Sequence, residues 1–166
     1  MHSESFAIME YLVHTCLSPE ASIRVLDVGS CDVNGVYESL FTKPGWQYEG
    51  ADIVPGPNVD IVLYDPYRWE IPDASYDLII SGQVFEHAEF FWLTWLEMVR
   101  TVRPGGLIFL VVPSTGREHR HPVDCWRFYR DGMHALARYG QVEVLAAETY
   151  WGNLWGDTVG VFRKPV

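Results

Sequence analysis

Apolar residues along this chain follow two rhythms, and their alternation predicts the fold class. Phe6, Met9, Tyr11, Leu12 and Cys16 recur at roughly helical spacing, which predicts an amphipathic helix over residues 4–17 that ends before Pro19 and caps a sheet. Short apolar runs then predict strands over residues 24–28, 46–53, 59–63, 76–81 and 107–112. Residues 36–41 read as a helix, and the acidic, aromatic stretch 88–102 reads as a longer one that must stop before Pro104-Gly105-Gly106. Val54-Pro55-Gly56-Pro57-Asn58 is too short and too rich in Pro and Gly to hold a full helix. Beyond a long polar loop at 113–129, Asp131 is placed to cap a helix through Arg138, and two last strands cover roughly 141–149 and 157–163.

Strands joined by crossovers pair in parallel and bury both faces. The order therefore predicts an α/β, Rossmann-like, seven-stranded, mostly parallel sheet with helices on both faces and a C-terminal antiparallel hairpin. Ligands of such sheets bind outside the carboxyl ends of the strands, near the point where strand order reverses. With 166 residues and no repeat, low-complexity tract or linker, a single domain over 1–166 is expected, with 1–18 as the cap helix and 113–130 as a substrate loop.

Charge narrows the partners. Twenty-two Asp and Glu oppose 12 Lys and Arg, for a net charge of -10, and no basic run appears, so a nucleic-acid partner is not expected. Cys16, Cys31 and Cys125 are widely spaced with no C-x-x-C pair, which points to reduced thiols and a cytoplasmic setting. No stretch approaches the roughly 18 to 20 apolar residues that span a bilayer, and the N-terminus lacks a basic export region, so no membrane partner is expected.

The sharpest local signal is Val25-Leu26-Asp27-Val28-Gly29-Ser30-Cys31-Asp32-Val33-Asn34-Gly35, an apolar strand running into a turn. A nicotinamide site wants G-x-G-x-x-G, whose second glycine lets the backbone approach a pyrophosphate. Cys31 stands at that position and Asp32 would repel the diphosphate, which argues against a nicotinamide-dependent oxidoreductase. Asp27 near the turn and Asp52 at the end of the second strand, 25 residues later (52 minus 27), suit a cationic, phosphate-free nucleoside whose ribose hydroxyls meet a carboxylate. An ordinary tight connection and a solvated strand-end acid are the plainer alternatives.

From these residues the chain resembles class I S-adenosylmethionine-dependent methyltransferases, of the methyltransferase type 11-like family, over roughly residues 24–145. Val25-Leu26-Asp27-Val28-Gly29 resembles the family's first motif, Asp52 its acid after the second strand, and Asp65-Pro66, with Tyr64 before it, its adenine-contacting segment. Tyr76-Asp77-Leu78-Ile79-Ile80-Ser81, then Gln83 and Glu86-His87, resembles the fourth-strand motif, and Arg103-Pro104-Gly105-Gly106-Leu107 the turn before the fifth. The resemblance implies S-adenosyl-L-methionine as cofactor, held by Asp27, Gly29, Ser30, Cys31, Asp52, Ile53, Tyr64, Asp65, Pro66, Ser81 and Gln83. The departures are Cys31, where the family usually has glycine, and Gln83, where some quinone O-methyltransferases have glutamate.

Methyl transfer to a hydroxyl needs alignment and a base. His87 is the family-matched candidate, or else a packing residue at a helix start. In the loop His119-Arg120-His121-Pro122-Val123-Asp124-Cys125-Trp126-Arg127-Phe128, His121 with Asp124 reads as a base and its orienting carboxylate, with Trp126 and Arg127 as substrate contacts. A structured turn with packed aromatics is the alternative reading. Two histidines two apart define no coordination geometry, so no metal is expected. Trp92, Trp95, Trp151 and Trp155 read as packing residues, with a homodimer surface left open.

The expected activity is O-methylation of a small-molecule acceptor, a sugar-containing or other natural-product hydroxyl. The alternatives are N- or protein methylation, or a catalytically inactive cofactor-binding partner or regulatory module.

Overall fold

The structure is a computed structural model that describes residues 3–152 and 154–166; the first two residues of the expected 1–18 cap segment lie outside it. Helix α1 (Ser3–Cys16) precedes strand β1 (Ile23–Val28), a single 3-10 turn (Glu38–Leu40), β2 (Trp46–Asp52) and β3 (Ile61–Val62). There follow β4 (Tyr76–Gly82), helix α2 (Phe91–Thr101), β5 (Val102–Thr115), helix α3 (Arg130–Gly140), β6 (Glu143–Tyr150) and β7 (Gly156–Arg163). One seven-stranded sheet has the order β3-β2-β1-β4-β5-β7-β6, as a mostly parallel sheet ending in an antiparallel hairpin requires. Pairings from β3 to β5 are parallel, and β7 runs antiparallel to both β5 and β6.

Continuous apolar runs become strands here because both faces are covered. On β5, Ile108, Leu110 and Val112 point into one core with Leu26, Ile79 and Phe162, covered by Trp95 and Met98 of α2 and Met133 and Leu136 of α3. Phe109 and Val111 point into the other, with Val25, Leu78 and Ile80, covered by Met9, Leu12 and Val13 of α1 and by Tyr37 and Phe41. Trp95 is fully buried, donates its indole N–H to the Leu136 carbonyl and meets Phe162 edge-on at 4.8 Å, so it is a core residue.

Several expected boundaries are corrected. Residues 36–41 form only the short 3-10 turn, because Asp32 accepts the Gly35 N–H (2.8 Å) and Gly35 has φ 108°, which bends the chain before a helix can nucleate. The third strand shrinks from 59–63 to two residues because the Asp60 carboxylate occupies the Gly50 N–H (2.8 Å) that a longer ladder would use. Helix α2 starts at Phe91 and not at 88, since 84–87 closes as a turn, His87 N–H to the Val84 carbonyl, that sinks Phe85 into the core. The Pro104-Gly105-Gly106 segment is a bulged part of β5, with Gly105 N–H bonded to the Lys164 carbonyl. Tyr129 is the N-cap of α3, Asp131 lies in its first turn, and the Thr149 hydroxyl accepts the Arg130 N–H.

Strand order reverses between β1 and β4, where the chain leaves β3 and returns to the other side of β1. That places a ligand crevice above Gly29 and Gly82. Among the described residues no helix is long and apolar enough to cross a membrane.

Candidate active site

A cleft of about 860 Å³ opens at this switch point, a size that suits a nucleoside-sized ligand together with part of a second molecule. Its lining divides along the sheet. The turns after β1 and β2 supply Asp27, Gly29, Ser30, Cys31, Asp52 and Ile53, while those after β4 and β5 supply Gln83, His87, His119 and His121.

In the turn after β1, every backbone donor from Gly29 to Asp32 is already spent. Gly29 and Ser30 donate to the Ala51 carbonyl (2.8 and 3.1 Å), Cys31 to the Asp52 carboxylate (3.1 Å) and Asp32 to the Pro57 carbonyl (3.1 Å). No α-helix follows this turn directly, so its four occupied N–H groups have no helix dipole behind them to cradle a diphosphate. Gly29 has φ +83°, and a Cβ there would come 2.1 Å from a Val84 methyl, so only glycine fits the turn without displacement.

Two carboxylates set the charge. Asp27 is buried and accepts the Tyr48 hydroxyl at 2.6 Å; burial lifts its carboxyl to about 7, against the lowering effect of that hydrogen bond. Asp52 accepts backbone N–H groups from Cys31 and Val54 and keeps lone pairs for further donors. This side of the lining carries no lysine or arginine among the described residues, so it favours a cationic ligand without phosphates.

The opposite side is built around a carboxylate that sequence reasoning named but gave no role. Glu86 is fully buried, and neither of its oxygens has a hydrogen-bond partner among the described residues. Burial lifts its carboxyl to about 8. His87 Nε2 lies 3.7 Å and His119 Nε2 3.9 Å from Glu86 Oε1. His87 Nδ1 is 2.6 Å from the Val123 carbonyl, which assigns the proton to Nδ1 and leaves Nε2 with its lone pair; burial lowers the imidazole's affinity for a second proton. The Glu86 carbonyl accepts the Cys125 N–H (2.7 Å), which ties the loop after β5 to this turn.

The expected His121–Asp124 pair is not what the structure brings together. Asp124 is gripped by Arg127, whose Nη2 donates to Oδ2 at 2.8 Å, and its Oδ2 also accepts the His119 N–H at 2.7 Å. The guanidinium holds its carboxyl well below the usual carboxylate range. The histidine that Asp124 faces is His119, with Nδ1 3.4 Å away, because the loop folds Arg127 back over it. Trp126 donates its indole N–H to the Ala88 carbonyl and packs on Phe91 and Trp92, so neither Trp126 nor Arg127 lines the cleft.

Asp27, Gly29, Ser30, Cys31, Asp52, Ile53, Pro66, Gln83, His87 and His121 all lie on the cleft wall. Tyr64, Asp65 and Ser81 do not: Tyr64 is 90% exposed, Asp65 accepts the Tyr67 N–H in its own turn, and Ser81 donates to the Val28 carbonyl inside the sheet. Leu63, Tyr67 and Trp69 stand where Tyr64 and Asp65 were expected. Tyr37 and Gly82 were not foreseen either. The Tyr37 hydroxyl pairs with Ser5 of α1 (2.7 Å), and a Cβ on Gly82 would come 2.1 Å from that hydroxyl, so the bare glycine at the end of β4 was the available signal.

A seven-stranded sheet of this order with an acid-lined crevice at its switch point defines the Rossmann-like fold of class I methyltransferases, as the sequence resemblance implied. A family model described as a methyltransferase domain matches residues 1–142, and the chain belongs to that family. An uncharacterized methyltransferase of Mycobacterium sp. (strain KMS) is 34% identical over 95 residues, covering 52% of this chain and 37% of the relative. One from Mycobacterium avium (strain 104) is 29% identical over 149 residues, covering 80% and 56%. The chain thus spans between about a third and just over half the length of these relatives. Among solved structures, Burkholderia thailandensis 1,6-didemethyltoxoflavin-N1-methyltransferase, with 1,6-didemethyltoxoflavin and S-adenosylhomocysteine bound, superposes with a TM-score of 0.75 at 16% identity, covering 98% of this chain and 79% of that one.

Proposed function

We propose that this domain is an S-adenosylmethionine-dependent methyltransferase that methylates an oxygen of a small-molecule acceptor held between the β1 turn and the histidines. The observation that carries this reading is the turn from Gly29 to Asp32, whose N–H groups are all consumed while Asp27 and Asp52 present carboxylates to the same space. The carboxylates suit a ligand with a sulfonium, an ammonium and ribose hydroxyls, and the spent donors disfavour a diphosphate. When bound, such a cofactor supplies a methyl group already activated for in-line displacement.

What remains for the protein is positioning and proton removal. Asp52 would hold ribose hydroxyls, and Asp27 would offset the ligand's positive charge. Leu63, Pro66 and Trp69 supply apolar wall for the adenine. His121, on the wall with its ring 5.6 Å from that of His87, would take the acceptor's proton.

A nitrogen acceptor is the second reading. The N1-methyltransferase chemistry named for the Burkholderia neighbour supports it, and a neutral amine needs no base. Replacement of His121 by alanine separates the two: a hydroxyl acceptor should lose most of its kcat, whereas an amine should not.

Calorimetric titration with S-adenosylmethionine, S-adenosylhomocysteine and reduced nicotinamide dinucleotide tests the cofactor assignment. The first two should bind in the micromolar range and the third should not. Asp52→Ala should weaken S-adenosylmethionine by at least about tenfold, or about 1.4 kcal/mol. Dinucleotide binding, or unchanged affinity in the variant, would overturn the assignment.

A further inference from the structure

The Glu86 carboxylate, buried without a hydrogen-bond partner, and the two imidazole nitrogens turned towards it need an explanation that packing does not give. A carboxyl group removed from water and left without a hydrogen-bond partner is costly, and native proteins seldom leave one so. We propose that Glu86, His87 and His119 bind a divalent transition-metal ion of the zinc type, with its remaining coordination position facing the cleft.

The donor atoms, one oxygen and two nitrogens, lie within 4.8 Å of one another. Zinc bonds of about 2.0 to 2.1 Å in tetrahedral array put ligands about 3.3 Å apart. The carboxylate-to-imidazole separations of 3.7 and 3.9 Å lie about half an ångström above this, and the two imidazole nitrogens, within 4.8 Å of each other, must approach by up to about 1.5 Å for all three to bond one ion.

Both imidazoles are oriented as metal ligands are, each with its other nitrogen held by an acceptor behind it. His87 Nδ1 faces the Val123 carbonyl at 2.6 Å. His119 Nδ1 faces the Arg117 carbonyl at 3.2 Å and the Asp124 carboxylate at 3.4 Å. That leaves a lone pair on each Nε2, 3.7 and 3.9 Å from Glu86 Oε1. Arg127 neutralises Asp124 from the far side, so this outer shell is itself fixed. Two imidazoles and one carboxylate match zinc and its borderline neighbours; magnesium and calcium prefer oxygen donors.

Glu86 lies behind the cleft wall while both histidines are part of it, so the free position opens onto the space assigned above to the acceptor. There the ion would coordinate the acceptor hydroxyl. The O–H proton would pass to His121 as the oxygen bonds the methyl carbon, and the carbon–sulfur bond would break with its electron pair left on sulfur. That role rests on the methyl-transfer reading; the metal site itself does not.

The test uses tag-free protein stripped with a chelator, titrated calorimetrically with Zn²⁺ and separately with Mg²⁺, and the visible spectrum of its Co²⁺ complex. One Zn²⁺ per chain at micromolar affinity or tighter, no measurable Mg²⁺ binding and the intense visible bands of four-coordinate Co²⁺ are expected. Glu86→Gln, which keeps the side-chain shape, and His119→Ala should each weaken Zn²⁺ at least tenfold and abolish the Co²⁺ bands. Both should keep the far-ultraviolet circular dichroism spectrum of the parent protein, which shows that they fold. Absence of stoichiometric Zn²⁺ binding, or Zn²⁺ affinity unchanged in Glu86→Gln, overturns the metal site. Retained Zn²⁺ binding without S-adenosylmethionine binding would instead sink the cofactor reading alone.

Discussion

The two sides of the cleft are held together in opposite ways. On the β1–β2 side the main chain does the work, with Gly29, Ser30, Cys31 and Asp32 all bonded through their N–H groups to neighbouring segments. Its carboxylates, Asp27 and Asp52, are anchored by hydrogen bonds. On the β4–β5 side the side chains carry the architecture, and one buried acid lacks donors. A backbone-built site is rigid and selects by shape and fixed charge. A side-chain-built site leaves lone pairs to spend on something else, which is what proton transfer or coordination demands.

If the first side is rigid, crowding its turn should be the most damaging change. Gly29→Ala places a Cβ against Val84 at a left-handed φ, and the two costs together should remove about 3 kcal/mol of stability. Urea denaturation measures this, and a loss below about 1 kcal/mol would mean that the turn relaxes easily.

The matching change on the second side is Arg127→Ala. It strands Asp124, whose side chain is 1% exposed, without its counter-ion. Because Arg127 itself is partly in solvent, the full cost of breaking a buried pair is discounted to about 2 kcal/mol. A change within about 0.5 kcal/mol in the same denaturation experiment would show that the loop holds Asp124 by other means.

The two sides also differed in how far the sequence revealed them. Sheet membership of β1, β4 and β5 was readable because strands covered on both faces are written as unbroken apolar runs. The turn after β1 was readable because glycine and acids fall at fixed offsets from a strand end. Residues 36–41 misled because Tyr37 and Phe41, four apart, anchor an irregular segment against Phe6 and Tyr48 and not a helix against the sheet.

The second side was hidden for a different reason. Glu86 and His119 stand 33 positions apart (119 minus 86), and only the folding of the loop after β5 brings them together. Asp124 looked like a partner for His121 by proximity in sequence. Arg127, one turn further on, competes for it and wins through a two-pronged guanidinium contact.

Charge on the first side gives a pH test. The Asp27 carboxyl sits near 7 in the folded protein, above the ordinary carboxylate value, because burial favours its protonated form. A cation bound nearby favours the ionised form, so S-adenosylmethionine affinity should weaken as pH falls through 7, by up to about tenfold between pH 8 and pH 6. The unliganded protein should do the reverse, losing stability as pH rises from about 4 to about 7, since only its folded form holds the proton there. In Asp27→Asn the affinity should be lower and the Asp27-linked slope should vanish; an unaltered slope would assign the titration to another group.

The smallest effect is expected from Trp126→Ala, and it is the one that separates this cleft from the acceptor site read from sequence alone. The Trp126 ring covers Phe91 and Trp92 from outside, is 37% exposed, and its indole N–H is satisfied by the Ala88 carbonyl. Truncation removes a half-exposed contact and leaves one carbonyl that water can reach, so about 1 kcal/mol of stability should be lost, well short of a buried tryptophan's cost. Since the residue lies outside the cleft lining, kcat/KM should change by less than about twofold once an acceptor is in hand. A tenfold fall carried by KM would place the acceptor over the loop after β5 and outside the cleft, and His121 would then lose its claim to the acceptor's proton.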